Sequence, residues 1–150
     1  KSVYAQCLLG IANALQDESL EGIFTNVLVQ DESFADGDIR PGAYITPEGT
    51  REGDGTTERD LMGYMCLITV VRGSKSGGTR DQDRWTLWRQ KAVRRFNNKR
   101  LLAVDDDDCL DHGCKAWRHE WPARMQEKID KANMTAEAVM VSYWVLEPRK

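Results

Sequence analysis

Four residues with metal-binding side chains lie within eleven positions of the chain: Cys109, His112, Cys114 and His119. Thiolate and imidazole groups are the ligands that zinc prefers. Structural zinc sites usually hold two close ligand pairs separated by a longer arm, so that the chain can wrap the ion. Here one residue separates His112 from Cys114, and His119 falls in a predicted strand. We therefore predict no metal site, and a small zinc module or metal-dependent enzyme stays an alternative.

An acidic cluster precedes these ligands. It runs from Asp105 to Asp108 and is followed by Asp111. Calcium prefers such oxygen ligands, but the cluster lacks both the D-x-D-x-D-G order and the closing bidentate Glu of a calcium loop. The acids at Asp31, Asp36 and Asp38 fail the same comparison. We expect solvated turns at both places.

The chain contains no recognisable catalytic or nucleotide-binding motif. Gly73 and Gly78 have the spacing of a P-loop, but Thr79 and Arg80 stand where Lys and Ser/Thr are required. There are only two histidines, and neither G-x-S-x-G nor H-E-x-x-H occurs. We predict no catalytic and no cofactor-binding residues, and a protein that is not an enzyme.

A basic, aromatic-rich helix is predicted between Arg84 and Arg100, as in some nucleic-acid-binding proteins. Its large apolar side chains share one stripe of a 3.6-residue period, which is typical of a core-facing surface. That stripe comprises Trp85, Trp88, Ala92, Val93 and Phe96. A nucleic-acid-binding module that uses Arg89, Arg94 and Arg95 is therefore an alternative and not the main hypothesis.

Charge is separated along the chain although the net charge is only −3. Residues 31–60 carry nine acids and three bases, whereas residues 81–100 carry two acids and seven bases. Such separation favours head-to-tail pairing with copies of the same chain. An acidic loop beside a solvated helix face would give the same pattern.

The 150 residues, of which 41% are hydrophobic and 30% charged, predict one globular domain over residues 1–150. We expect neither a membrane span nor a secretory signal, because no sufficiently long apolar run is present. Cys7 and Cys66 lie in apolar patterns and are interpreted as buried thiols. A disulfide between Cys109 and Cys114 in oxidising conditions is left open.

Hydrophobic periodicity predicts two principal helices and five strands. The helices are residues 2–16 and Asp81–Asn98; the strands are Asn26–Gln30, Ala43–Thr46, Asp60–Arg72, Lys115–Trp121 and Ala136–Leu146. Loops are predicted at Asp31–Pro41, at Glu48–Thr57 as a mobile hairpin-type excursion, at Ser74–Arg80 and at Asp105–Asp111. Leu101–Val104 is interpreted as the start of a short strand and Met125–Asn133 as a short helix. The order α-β-β-β-α-β-β predicts an α+β domain, mainly an antiparallel sheet with both helices on one face.

The third strand is apolar on both faces. Leu61, Met65, Leu67, Thr69 and Val71 alternate with Met62, Tyr64, Cys66, Ile68 and Val70. A strand of this kind is central in its sheet, or one of its faces contacts another subunit.

The chain resembles the tail-terminator and neck-type proteins of tailed bacteriophages, including prophage and gene-transfer-agent relatives. Four features carry the resemblance over most of the chain. An N-terminal helix precedes two short strands, and a long strand at Leu61–Val71 is followed by a Gly/Ser loop and a helix. That helix ends in a motif, at residues 93–101, in which an aromatic residue is followed by Arg-Leu. The chain closes on an apolar strand with a Glu-x-Arg tail at residues 142–149, while residues 105–114 and 117–121 depart from the pattern.

The resemblance implies a structural virion protein, assembled in the host cytoplasm and located in the tail or neck. It implies a ring, usually of six copies, that caps the tail tube and joins it to the neck or connector protein. DNA passes through the lumen of such a ring without sequence readout. Another head-tail connector or head-completion protein is the nearest alternative.

Overall fold

The computed structural model of the chain describes residues 2–16, 27–29, 42–73, 79–119, 127, 130–131 and 134–149. Its elements, in chain order, are α1 (Val3–Leu15), β1 (Val27–Val29), β2 (Gly42–Glu52), β3 (Arg59–Gly73), α2 (Thr79–Phe96), β4 (Leu110–His119) and β5 (Met134–Pro148). This is the predicted order, and the predicted α+β class is confirmed.

The five strands form one sheet in the order β1-β2-β3-β5-β4. β3 pairs antiparallel with β2 on one side and with β5 on the other, and β4 pairs antiparallel with β5. The short β1 runs parallel to β2. The β3–β5 ladder extends from the pair Arg59–Pro148 to the pair Gly73–Met134. The prediction that the doubly apolar strand is central is therefore confirmed.

Both helices pack on the same side of the sheet, which we call the first face. β3 contributes Tyr64, Cys66, Ile68 and Val70 to this face, and β5 contributes the odd-numbered residues from Val139 to Val145. α1 covers it with Cys7, Leu8, Ile11 and Leu15, and α2 with Trp88, Ala92 and Phe96. Trp88 and Phe96 are fully buried, so the predicted stripe of α2 is confirmed at these positions. The side chain of Trp85 lies outside the described residues.

The opposite side of the sheet, the second face, is also apolar. Met65 and Leu67 of β3 pack with Ala138 and Met140 of β5, and Trp117 of β4 lies against them. Thr69 and Ser142 on the same face are buried as well. The alternation predicted for β3 thus corresponds to two buried faces.

The prediction of a loop that begins at Glu48 is wrong over residues 48–52, where β2 continues to Glu52. The register shifts between Pro47 and Gly49. A bulge of this kind accommodates a proline that a regular ladder would exclude. The hydroxyl of Tyr4 on α1 accepts hydrogen bonds from the backbone N–H groups of Glu48 and Gly49, each at 3.0 Å. The bulge is therefore anchored to α1.

Leu101–Val104 is not a strand. Leu102 has φ 50°, a left-handed conformation that breaks an extended chain. β4 instead begins at Leu110, so that the end of the predicted acidic loop, Asp111, belongs to a strand.

The turn after α2 covers the outer edge of β4. The N–H of Asn98 donates to the carbonyl of Cys114, and the N–H of Cys114 donates to the carbonyl of Lys99, both at 2.8 Å. Pairing of this kind protects an edge strand from further strand addition.

Several predicted segments lie partly or wholly outside the described residues. These are the loop at 31–41, most of the loop at 74–80, the end of the strand at Trp121 and most of the segment 125–133. Within the described parts of the chain, no helix combines the length and the apolar character that crossing a membrane requires.

Candidate functional site

The four residues considered as zinc ligands do not converge. Cys114 lies on the first face within the main core. His119 pairs with Ala138 and so belongs to the second face. His112 is exposed beside the register shift between Asp111 and Gly113. Among the described residues, no group of three or more His, Cys, Asp or Glu side chains is placed to hold a metal ion.

The four cysteines are free thiols and are all buried. Burial raises the pKa of Cys7 and of Cys66 well above their ordinary value. Burial, together with the nearby Asp111, raises the pKa of Cys114 to about 12. The thiolate is the nucleophilic form of cysteine. A raised pKa therefore disfavours the nucleophilic form of Cys7, Cys66 and Cys114. The interpretation of Cys7 and Cys66 as buried thiols is confirmed.

The side chain of Asp111 points inward and helps to hold residues 102–103, which pass close to α1. Its carboxylate accepts hydrogen bonds from the Tyr143 hydroxyl and from the N–H of Leu102. The N–H of Ala103 donates to the Tyr143 hydroxyl at 3.1 Å. Burial raises the pKa of Tyr143, and the hydrogen bond to Asp111 raises it further. The arrangement fixes residues 102–103 against the sheet and separates Asp111 from the exposed acids Asp105–Asp108.

An open groove of about 890 Å³ runs between α1 and residues 100–105. Gly10 and Asn13 line it from α1, and Arg95, Arg100 and Leu102 line it from the other side. A Cβ at position 10 would overlap the Cβ of Ala103, so glycine permits the close approach of this segment to α1. The groove is lined mainly by amide, aliphatic and guanidinium groups, and Asp105 is the one carboxylate among its lining residues.

The end of α2 and the turn that follows it are basic. Residues 87–100 contain six Lys or Arg residues and no acid. Leu87, Gln90 and Arg94 are exposed at helical spacing i, i+3 and i+7, and Leu87 keeps 45% of its surface accessible. We call these three residues the α2 stripe.

Of the arginines considered for nucleic-acid binding, Arg89 instead forms an ion pair with Glu137 of β5. Arg95 lies over the ring of Phe96, with its guanidinium carbon 6.0 Å from the ring centroid. Trp88 and Phe96 are core residues, so neither offers a stacking platform. Arg94 remains exposed.

The end of the sheet that carries the β2–β3 hairpin has a mixed surface, which we call the hairpin end. Its apolar part is on the second face: Leu61, Trp144 and Leu146 are partly exposed, and Leu110 is 49% exposed. The Trp144 ring lies on Gly63, where an added Cβ would approach the ring to 2.8 Å. Glu52, Asp54 and Glu58 form its exposed acidic part.

The hairpin end was not predicted as a site. Trp144 and Leu146 lie two residues apart on β5 and so share a face, but the exposure of that face depends on the tertiary packing. The hairpin tip is hydrogen-bonded: the N–H of Gly53 donates to the carbonyl of Leu61, and the N–H of Thr56 donates to the carbonyl of Arg59, both at 2.8 Å.

The fold and these surfaces define a single-domain α+β protein whose exposed residues include Arg94 on α2 and the mixed acidic and apolar hairpin end. No family model matches the chain, and no curated protein matches it.

Proposed function

We propose that the chain is a structural virion protein of the tail-terminator type. It forms a homo-oligomeric ring that caps the tail tube of a tailed bacteriophage and joins it to the neck or connector protein. In this function it acts by shape and by contact with its own copies, and DNA passes through the ring without being read.

The observation that carries the proposal is the use of the two sheet faces. α1 and α2 pack on the first face, while the second face ends in the partly exposed apolar surface of the hairpin end. Exposed apolar surface beside charged residues is typical of protein–protein contacts. Burial of that surface against another subunit stabilises the contact by about 25 cal/mol per Å².

The order of elements also supports the proposal. A long central strand, a following helix and a closing apolar strand occur at Arg59–Gly73, Thr79–Phe96 and Met134–Pro148, where the resemblance requires them. A ring built from heterologous contacts needs two different surfaces on each copy. The separated charges are consistent with two such surfaces.

The test uses the purified full chain, alone and mixed with tail tubes from the particle that its own genome encodes. Native mass spectrometry is expected to show an assembly of about six copies of the 17.1 kDa chain, formed alone or on the tube. Electron microscopy is expected to show the ring at the tube end, and tube polymerisation is expected to stop where it binds. A chain that neither binds tube ends nor limits tube length contradicts the proposal.

A further inference from the structure

We propose that the groove between α1 and residues 100–105, which we call the groove segment, binds an acidic peptide segment of a partner protein. Leu102 is the apolar anchor of this site, and Arg95 and Arg100 are the cations that pair with the peptide. The inference goes beyond the proposed function and does not depend on it, since the groove belongs to the single copy.

Leu102 combines two features that are unfavourable in a folded chain. Its backbone is left-handed, with φ 50°, a conformation in which the Cβ of an L-residue crowds the following carbonyl. Its side chain is 77% exposed, the largest value for a large hydrophobic residue in the part of the chain that the structure describes. Burial within the copy therefore does little to offset the strain. Strained residues of this kind cluster at sites that bind ligands or partners.

Buried groups hold Leu102 in this conformation. The Asp111 carboxylate accepts a hydrogen bond from the N–H of Leu102. The Tyr143 hydroxyl donates to the same carboxylate, and it accepts a hydrogen bond from the N–H of Ala103 at 3.1 Å. Two consecutive backbone amides of the groove segment are thus fixed from below. The position of the Leu102 side chain is set before any partner binds, which lowers the entropic cost of binding.

Two contacts give the direction of the groove segment. The N–H of Asp105 donates to the side-chain oxygen of Gln6 at 2.9 Å, and Ala103 packs against Gly10, about one helical turn further along α1. The segment therefore runs antiparallel to α1. Asp105 lies at the end of the groove near the start of α1, and Arg100 lies toward the other end.

The lining of the groove favours a peptide over a nucleic acid. Apolar and amide side chains both contribute to it: Gln6, Leu9, Asn13, Gln16, Leu102 and Ala103. Side-chain amides both donate and accept hydrogen bonds, as the backbone of an extended peptide does. An apolar anchor beside polar groups is typical of protein interfaces. A phosphate backbone would instead leave Leu102 without an apolar partner.

The charge of the groove favours an acidic peptide. Arg95 and Arg100 line it, against the single carboxylate of Asp105. Guanidinium groups pair with carboxylates in bidentate geometry, so Asp or Glu is the matching side chain. The α1 residues of the lining extend from Gln6 to Gln16, a rise of about 15 Å. This length corresponds to about four or five residues of extended peptide.

Selection from a random-peptide library tests the inference. The library is passed over the immobilised full chain, and the enriched peptides are synthesised and titrated against the chain by fluorescence anisotropy. We expect the enriched sequences to carry Asp or Glu close to Leu, Ile, Phe or Met. Binding is expected to weaken as the salt concentration rises, because ion pairs are screened.

Leu102→Gly separates binding from folding. Glycine adopts a positive φ without strain, so this variant should unfold at the temperature of the parent chain or above it. Its Kd for the selected peptides should rise tenfold or more. Leu87→Ala, which changes an exposed leucine outside the groove, should bind as the parent chain does.

A pair of charge variants tests the cations. Arg95→Gln with Arg100→Gln should raise the Kd tenfold or more and remove most of its salt dependence. Arg94→Gln with Lys99→Gln is the matched control, because it removes the same charge at the same spacing from two exposed residues that do not line the groove. The control should change the Kd by less than twofold.

Four results would overturn the inference. The first is a selection without an acidic and apolar consensus, and the second is equal binding by Leu102→Gly and the parent chain. The third is a Leu102→Gly chain that unfolds well below the parent temperature, since Leu102 would then stabilise the copy itself. The fourth is a different occupant of the groove.

Two measurements reveal a different occupant. Competition by a single-stranded DNA oligonucleotide, lost in Arg95→Gln with Arg100→Gln, would assign the groove to nucleic acid. Self-association of the parent chain in sedimentation velocity, lost in Leu102→Gly, would assign it to a second copy. None of these results depends on binding to tail tubes, so failure of this inference and failure of the proposed function are distinguishable.

Discussion

Helices α1 and α2 pack on the first face of the sheet, whereas the second face changes from buried to partly exposed along its length. On the first face, Trp88, Phe96 and Tyr143 are fully buried. On the second face, Leu67 and Met140 are buried, but Trp144 and Leu146 near the hairpin are partly exposed. Two faces of equal apolar character in the sequence therefore have different roles.

The difference teaches that the first face is closed within the domain, while the end of the second face leaves apolar side chains partly exposed, and we propose that these make contacts between molecules. Substitutions on the first face should change the free energy of unfolding. Substitutions at the hairpin end should change association more than unfolding. The four predictions below test this contrast.

The largest effect is expected from Trp88→Ala. Trp88 is fully buried beneath α2, and removal of so large a core side chain costs about 3–5 kcal/mol of unfolding free energy. Leu87→Ala is the matched control one residue earlier, and its expected change is below about 0.5 kcal/mol. Urea denaturation measures both. Equal losses for the two variants would show that α2 does not pack as described.

Gly10→Ala is expected to have the next largest effect. In most helices this change stabilises by about 0.5–1 kcal/mol, since alanine has the better helix propensity. Here the new Cβ would overlap Ala103, and overpacking costs about 1–3 kcal/mol. Asn13→Ala, at an exposed position of the same helix, should not destabilise. A stabilising Gly10→Ala would refute the close approach of residues 101–104 to α1.

Trp144→Ala separates the two faces most directly. Its ring lies on Gly63 and beside Gly53 but is partly exposed, so the expected loss of unfolding free energy is about 1–2 kcal/mol, less than for Trp88→Ala. Self-association, measured by sedimentation, should weaken more than it does for Leu87→Ala. A loss of unfolding free energy as large as that of Trp88→Ala would place Trp144 in the core instead.

The smallest and most gradual effect is expected from alkaline pH. Burial raises the pKa of Cys7, Cys66, Tyr64 and Tyr143, all of which lie on the first face. The folded state therefore binds these protons more tightly than the unfolded state does. Their contribution to stability is complete below about pH 9 and is lost as the pH rises through the folded-state pKa values.

Urea denaturation at pH 8, 9.5 and 10.5 checks this expectation. Unfolding free energy should fall between the first and last values, and Tyr143→Phe should flatten that dependence because it removes one of the titrating groups. A free energy that is constant across the range would show that these groups titrate as freely as in the unfolded chain.

Much of the fold follows from local patterns. Alternation in β3 and β5 requires two apolar faces, and the 3.6-residue stripe of Trp88, Ala92 and Phe96 requires a core-facing helix. These signals depend on neighbouring positions in the chain. The order of elements and the central place of β3 could therefore be predicted.

The sequence could not predict features that depend on contacts between distant residues. Residues 48–52 have a loop composition, yet they form strand because β3 pairs with them and Tyr4 bonds to the bulge. Asp111 belongs to an acidic run, yet it turns inward because Tyr143 and the N–H of Leu102 bond to it. Tyr4 lies 44 residues from Glu48 in the sequence, and Tyr143 lies 32 residues from Asp111.

By itself the sequence determined which residues must be buried, because period and side-chain type set the faces of each helix and strand. Only the tertiary structure decided which apolar face stays partly open, because both helices pack on the first face and leave the hairpin end of the second uncovered by them.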